Sequence, residues 1–196
     1  MKKNVLELYP YFKKSISQEF HQKTKIEQLA KPDKSGGKSW PKEWVEINYK
    51  GYPRFPRIKL PIASDVKYTD LIKALKKRNS TREFGKKKMS LSQFSTLLHY
   101  SAGIKNRESK DEVNRFYPSA GARFPLEVYP ILFNVQGFKN GIYHYHLKSL
   151  TLELLRKNSG LKNSILKNFS QSWLSKSAVI FVISAVFWRN EVKYGD

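Results

Sequence analysis

Three short clusters of this 196-residue chain carry side chains able to do chemistry. The first is Arg78-Asn79-Ser80-Thr81-Arg82. Its two arginines lie four residues apart, a spacing that puts both on one side of a helical turn. Guanidinium groups bind phosphate oxygens with paired hydrogen bonds, and Asn79 and Ser80 add neutral donors for hydroxyl groups. A solvated helix end with cations at its C-terminus is the plainer reading of this cluster alone. The second cluster sits in Arg115 to Glu127, RFYPSAGARFPLE. There Pro118, Ser119, Ala120 and Gly121 form a turn of small residues that lets backbone approach a flat or anionic ligand. Together the two segments read as a grip on a phosphorylated cofactor. The third is Lys193-Tyr194, which follows an apolar run. A lysine beside a buried strand end can act as a base, although a basic chain end explains the same local residues.

His144 and His146 are two apart and share one face of a strand. No acidic or histidine partner stands near them in sequence, so they are expected on an exposed paired face, with no metal site. The motifs G-x-S-x-G and H-E-x-x-H are absent, which removes the common serine and zinc hydrolases. The GGKS of Lys31 to Ser39 lacks the earlier glycine of a phosphate loop, since Pro32 holds that place.

Elements must position these groups. The spacing predicts a weak helix over 5–23, then a loop. An aromatic, proline-rich stretch, Trp40 to Pro61, follows as an extended arm packed on the body. A helix over Asp65 to Lys77 would turn Val66, Leu71 and Leu75 toward a core. A second helix begins at a capping box, Ser90 with Gln93, buries Leu91, Phe94, Leu97 and Leu98, and stops at Gly103. Asn106 to Asn114 reads as a charged loop. Strands follow at Leu126 to Phe138, Ile142 to His146 and Leu150 to Leu155, with Asn140-Gly141 as the hairpin turn. Ser159 to Trp173 is helical by period. Ala178 to Phe187, apolar on both faces, is expected as a central strand covered by helices. This order predicts an α+β layered fold, with an N-terminal extension over 1–62 and a main domain over 63–196.

Composition narrows the classes. Hydrophobic residues make up 40% and aromatic residues 14%, enough for a folded core. There is no cysteine, so disulfides and thiolate metal sites are excluded. The net charge is +21, from 37 basic and 16 acidic residues. The lysines are spread along the chain, which favours a solvated basic surface over a nucleic-acid tail. No segment reads as a signal peptide or a membrane span, and a cytoplasmic location is expected.

The succession RNSTREF, LSQFSTLLHYSAGI, YPSAGARFPLEVYPILFNV, GIYHYHLKSLTLELL, then the apolar strand and KYG, resembles the nitroreductase-like flavoproteins. Within them it is similar to the SagB-type dehydrogenases, which oxidise azolines to azoles in ribosomally made peptides. The likeness runs from about Phe20 onward, and the order and spacing of several motifs carry it. It implies a central mixed sheet flanked by helices and FMN as cofactor. It also implies a homodimer, or a complex with other peptide-modifying subunits, and a peptide substrate, with molecular oxygen reoxidising the flavin. By the same resemblance Arg78, Asn79, Ser80 and Arg82 hold the FMN phosphate and ribityl chain. Pro118, Ser119, Ala120 and Gly121 lie by the flavin ring, and Lys193 and Tyr194 serve catalysis. Asn79 replaces a more usual basic residue. Such enzymes run on past the Lys-Tyr pair, so the chain reads as their front part, incomplete at the C-terminus. An NAD(P)H-dependent nitroreductase and a shortened scaffold subunit are the alternatives.

Overall fold

The computed structural model describes residues 19–20, 49–61, 69–107, 113–157 and 160–194, with side chains through Glu191. The chain divides into two compact units, Met1–Ser39 and Trp40–Asp196. Of the first, only Glu19 and Phe20 are described, both helical and exposed. The expected early helix, the GGKS loop, Trp40, Trp44 and Val66 lie outside the described residues.

The second unit is built on five antiparallel strands. These are β1 (Arg57–Lys59), β4 (Leu126–Leu132), β5 (Gly141–His146), β6 (Thr151–Lys157) and β7 (Val179–Ala185), in the order β1-β6-β5-β4-β7. A lone parallel bridge joins Met89 to Val135. The helices are α1 (Leu71–Lys77), α2 (Leu91–Ala102), α3 (Leu161–Leu166) and α4 (Trp188–Tyr194). The fold is therefore α+β, a sheet flanked by helices.

Alternation along the strands gives the sheet two different faces. One carries Leu132, Tyr143, Tyr145 and Leu152, and buries Phe94 and Leu98 of α2 in the main core. The capping box that starts α2 is present: Ser90 Oγ accepts from Gln93 N at 3.1 Å, and Gln93 Oε1 accepts from Ser90 N at 3.0 Å. Gly103 caps its end, in extended backbone rather than the left-handed form. The other face holds a smaller apolar cluster of Ile131, Phe133 and Leu161. Beside that cluster lies a row of ionisable side chains, buried except at its Arg57 end.

Several expectations need correction. Ala178 to Phe187 does not form a central strand: β7 is an edge of the described sheet and pairs with β4 alone. Phe181, Val182 and Ile183 are exposed. Phe181 stacks on Phe94 of α2 with ring centroids 6.3 Å apart, yet stays 37% exposed. Leu71 and Leu75 are exposed at 69% and 59%, and α1 buries no residue. Its period is helical, but seven residues do not reach the core. Leu97 is exposed as well. The β4–β5 turn is not at Asn140-Gly141. It lies at Val135–Phe138, where Gly137 takes φ +81°. Gly141 already opens β5, and a Cβ there would sit 2.7 Å from the Arg156 carbonyl oxygen. The presumed charged loop carries a small antiparallel pair, β2 (Ile104–Arg107) with β3 (Val113–Arg115). The long helix after β6 shrinks to α3 and a 3-10 turn, Ser172–Lys176.

Candidate functional site

Among the described residues, the small-residue turn has the densest run of left-handed backbone. Ala120–Ala122 form a 3-10 turn in which Gly121 has φ +57°. Ala122 at φ +55° and Phe124 at φ +46° are also left-handed. For a residue with a Cβ this costs about 1 kcal/mol or more, so surrounding bonds must hold it. Ser119 Oγ accepts from Phe124 N at 2.8 Å and closes the loop on itself. Tyr117 OH accepts from Arg115 at 2.8 Å, and the Arg115 guanidinium lies 4.4 Å from the Phe124 ring centroid. Pro118 and Ala120 are exposed, while Ser119 and Gly121 are half-buried.

Helix α4, which contains Lys193 and Tyr194, lies against this turn. Two hydrogen bonds tie them. Arg189 Nη1 donates to the Phe124 carbonyl at 2.9 Å, and Arg123 Nε donates to the Arg189 carbonyl at 2.6 Å. Lys193 and Tyr194 thus lie in a short helix, not at a strand end.

Arg189 is 1% exposed and ends a row of charges that crosses the sheet. Its Nη2 meets Glu127 Oε1 at 2.6 Å. Glu127 Oε2 accepts from His144 Nε2 at 3.0 Å, and His144 Nδ1 lies 2.9 Å from Glu153 Oε2. Glu153 Oε1 accepts from Arg57 Nε at 3.0 Å, and Glu153 Oε2 from the Tyr52 backbone N–H at 2.9 Å. In sheet order the row runs Arg57 on β1, Glu153 on β6, His144 on β5 and Glu127 on β4, and it ends at Arg189 on α4. Burial alone would push the Glu127 carboxyl up; the hydrogen bond from His144 and the charge of Arg189 outweigh it and hold it below its ordinary range. Burial likewise opposes ionisation of Glu153, and the bonds from His144, Tyr52 and Arg57 lower it on balance.

This corrects the expectation of an exposed histidine pair. His144 is fully buried and has two acidic partners, 9 and 17 residues away in sequence. His146 is buried too and bonds through Nδ1 to Ser149 Oγ at 2.6 Å. Burial, the largest influence, lowers its pKa. Strand register could have revealed one partner, because Glu153 stands directly opposite His144. Tyr52 and Tyr129 close the row from above, with ring centroids 5.1 and 5.0 Å from His144.

No hydrogen bond or ion pair among the described residues ties the cationic segment to this assembly. Residues 78–82 are irregular and exposed, so Arg78 and Arg82 do not share a helical turn; α1 ends at Lys77. The Arg78, Asn79, Ser80 and Arg82 side chains make no hydrogen bond or ion pair among the described residues, and none ties them to Pro118–Gly121. An apolar cleft of about 470 Å³ borders the small-residue turn, between α2, β4 and β7, lined by Tyr117, Leu126, Val128 and Phe181 among others.

The residues suit a phosphorylated, flat cofactor by their chemistry. Two arginines, an amide and a hydroxyl stand with free donors on one segment. Beside the small-residue turn, Arg189 Nε and Asn190 Oδ1 are buried without a hydrogen-bond partner. Among the described residues no group of His, Asp or Glu is arranged to hold a metal ion, and no helix is long and apolar enough to cross a membrane.

No protein-family model matches the chain. It is homologous to a protein of Methanocaldococcus jannaschii named as a candidate nitroreductase, 27% identical over 139 residues, which cover 71% of this chain and 67% of that one. The fold is nitroreductase-like. A crystal structure of a candidate nitroreductase from Anabaena variabilis aligns over 92% of this chain with a TM-score of 0.63 and 22% identity. The chain spans about a third of that protein, 34% of its length. The E. coli microcin synthetase complex with truncated pro-microcin bound aligns at a TM-score of 0.46 and 20% identity, over 91% of this chain and 68% of that one.

Proposed function

We propose that the chain forms part of an FMN-dependent oxidoreductase of the nitroreductase type, and that its substrate is an azoline ring in a ribosomally made peptide. The observation that carries the reading is the contact between the left-handed Ser119–Phe124 turn and the helix containing Lys193 and Tyr194, in a fold of nitroreductase type. The azoline substrate rests on the motif succession described above. A nitroreductase drawing electrons from NAD(P)H is the second reading, favoured by the name of the homologous M. jannaschii protein.

In this reading Arg78 and Arg82 bind the phosphate, and Asn79 and Ser80 bond the ribityl hydroxyls. The backbone of Pro118–Gly121 lies along the ring and keeps water from one side of it. Bound flavin supplies a two-electron acceptor. Dehydrogenation of an azoline removes a proton and a hydride; Lys193 takes the proton at Nζ, and Tyr194 orients the ring by hydrogen bonding. The working unit is a homodimer or a complex with further peptide-modifying subunits.

The test is an absorbance spectrum of the purified chain after incubation with FMN and gel filtration. The expected result is retained yellow colour in the wild type, and loss of it in an Arg78→Ala/Arg82→Ala variant. Retained flavin in the double variant would move the phosphate grip elsewhere. Colourless wild-type protein would remove the flavin reading. With flavin held, oxidation of an azoline peptide rather than NAD(P)H consumption separates the two substrates.

A further inference from the structure

The row of ionisable side chains ends on the strained turn, and that termination has a purpose. We infer that Arg189 is a positioning residue: it fixes the Phe124 carbonyl, and with it the left-handed Ser119–Phe124 turn, while the row Arg57–Glu153–His144–Glu127 fixes Arg189. The inference that this turn serves cofactor binding rests on the function proposed above; the mechanical coupling itself does not.

Three observations support the coupling. The turn holds three left-handed residues, two of them with a Cβ, and such a backbone persists only where its neighbours impose it. Arg189 Nη1 bonds the carbonyl of the last of them, and Arg123, inside the turn, bonds back to the Arg189 carbonyl. The guanidinium has little freedom, because its Nη2 sits 2.6 Å from Glu127, whose other oxygen is taken by His144. A planar guanidinium spans both acceptors at once, which an ammonium cannot reproduce. Arg189 also belongs to α4, so the same side chain sets the turn and anchors the helix that contains Lys193 and Tyr194.

The experiment compares the wild-type chain with Arg189→Gln, Arg189→Lys and Glu127→Gln by amide hydrogen exchange, and by FMN titration with the visible spectrum recorded. Arg189→Gln should speed exchange of the Ala122–Phe124 amides by about tenfold, the scale of one lost charge-assisted bond. The β5–β6 amides should stay as protected as in the wild type. Arg189→Lys should restore part of the protection. Glu127→Gln, which keeps the shape of the side chain but removes its charge and one of its two acceptor oxygens, should loosen the turn in the same direction. In flavin-binding protein the same variants should weaken FMN binding and shift the visible band, changes that a purely structural bond would not cause in molecules that remain folded. Unchanged exchange in the turn for both Arg189→Gln and Glu127→Gln overturns the inference. If Arg189→Gln unfolds globally, Glu127→Gln decides. Loosening of the turn in a chain that never binds FMN upholds the coupling and removes the flavin reading instead. Loosening with unchanged affinity and spectrum overturns the positioning role.

Discussion

A carboxyl group that holds its proton less firmly in the folded chain than in the open one makes stability depend on pH. Glu127 and Glu153 are two such groups, both held below the ordinary value of 4.5. Their contribution is complete above that value and is lost as the pH falls through it toward the folded pKa. Urea unfolding of the wild type should therefore show a contribution from these two groups that is constant from pH 7 down to about 5 and is lost as the pH falls below 4.5. Glu127→Gln should be less stable at pH 7 by about 3 kcal/mol or more, since it leaves the buried Arg189 guanidinium without its carboxylate partner. Its decline with acid should be shallower, and an equally steep decline would show that the acid-sensitive groups lie elsewhere.

At the scale of elements, α2 is the part most directly written in the sequence. Its start is set by a reciprocal bond between residues three apart, and its buried side by Phe94 and Leu98. Ser90→Ala should lower stability by about 1 kcal/mol, read as a shifted urea midpoint with unchanged slope. The strands β4 to β6 were legible too, because alternation is a local signal, although the β4–β5 turn lies before the Asn140-Gly141 pair that marked it. What was not legible depends on partners distant in sequence. The exposure of Leu71, Leu75 and β7 follows from what lies beside them, which an apolar pattern does not state. The irregular backbone at 78–82 likewise cancels the shared face that spacing suggested for Arg78 and Arg82. In the candidate site, residue types drew attention to Pro118–Gly121 and to Lys193-Tyr194. The contact between the turn and α4 runs through Arg189, 65 positions from Phe124, a pairing that no local pattern announces. His144 was misjudged for the same reason: its partners come from two other strands.

At the scale of the whole molecule, β7 presents seven residues without a charge, along a sheet edge that pairs on one side only among the described residues. Such an edge is a template for further strand pairing. Ile183 is 61% exposed, so Ile183→Lys should leave unfolding stability within about 0.5 kcal/mol. It should also reduce concentration-dependent association measured by light scattering. Undiminished association would place the sticky surface elsewhere, for instance at the cleft beside Tyr117.

The charge row has a last consequence for how this unit assembles. Each of its five members comes from a different segment, and the outer two arrive from opposite ends of the unit. A half-built sheet lacking β1 or α4 would have to keep a carboxylate dry with half its countercharge missing, a state of high energy. Partial structures are thereby penalised, and the segments from Arg57 to Arg189 gain or lose order together, in one cooperative step.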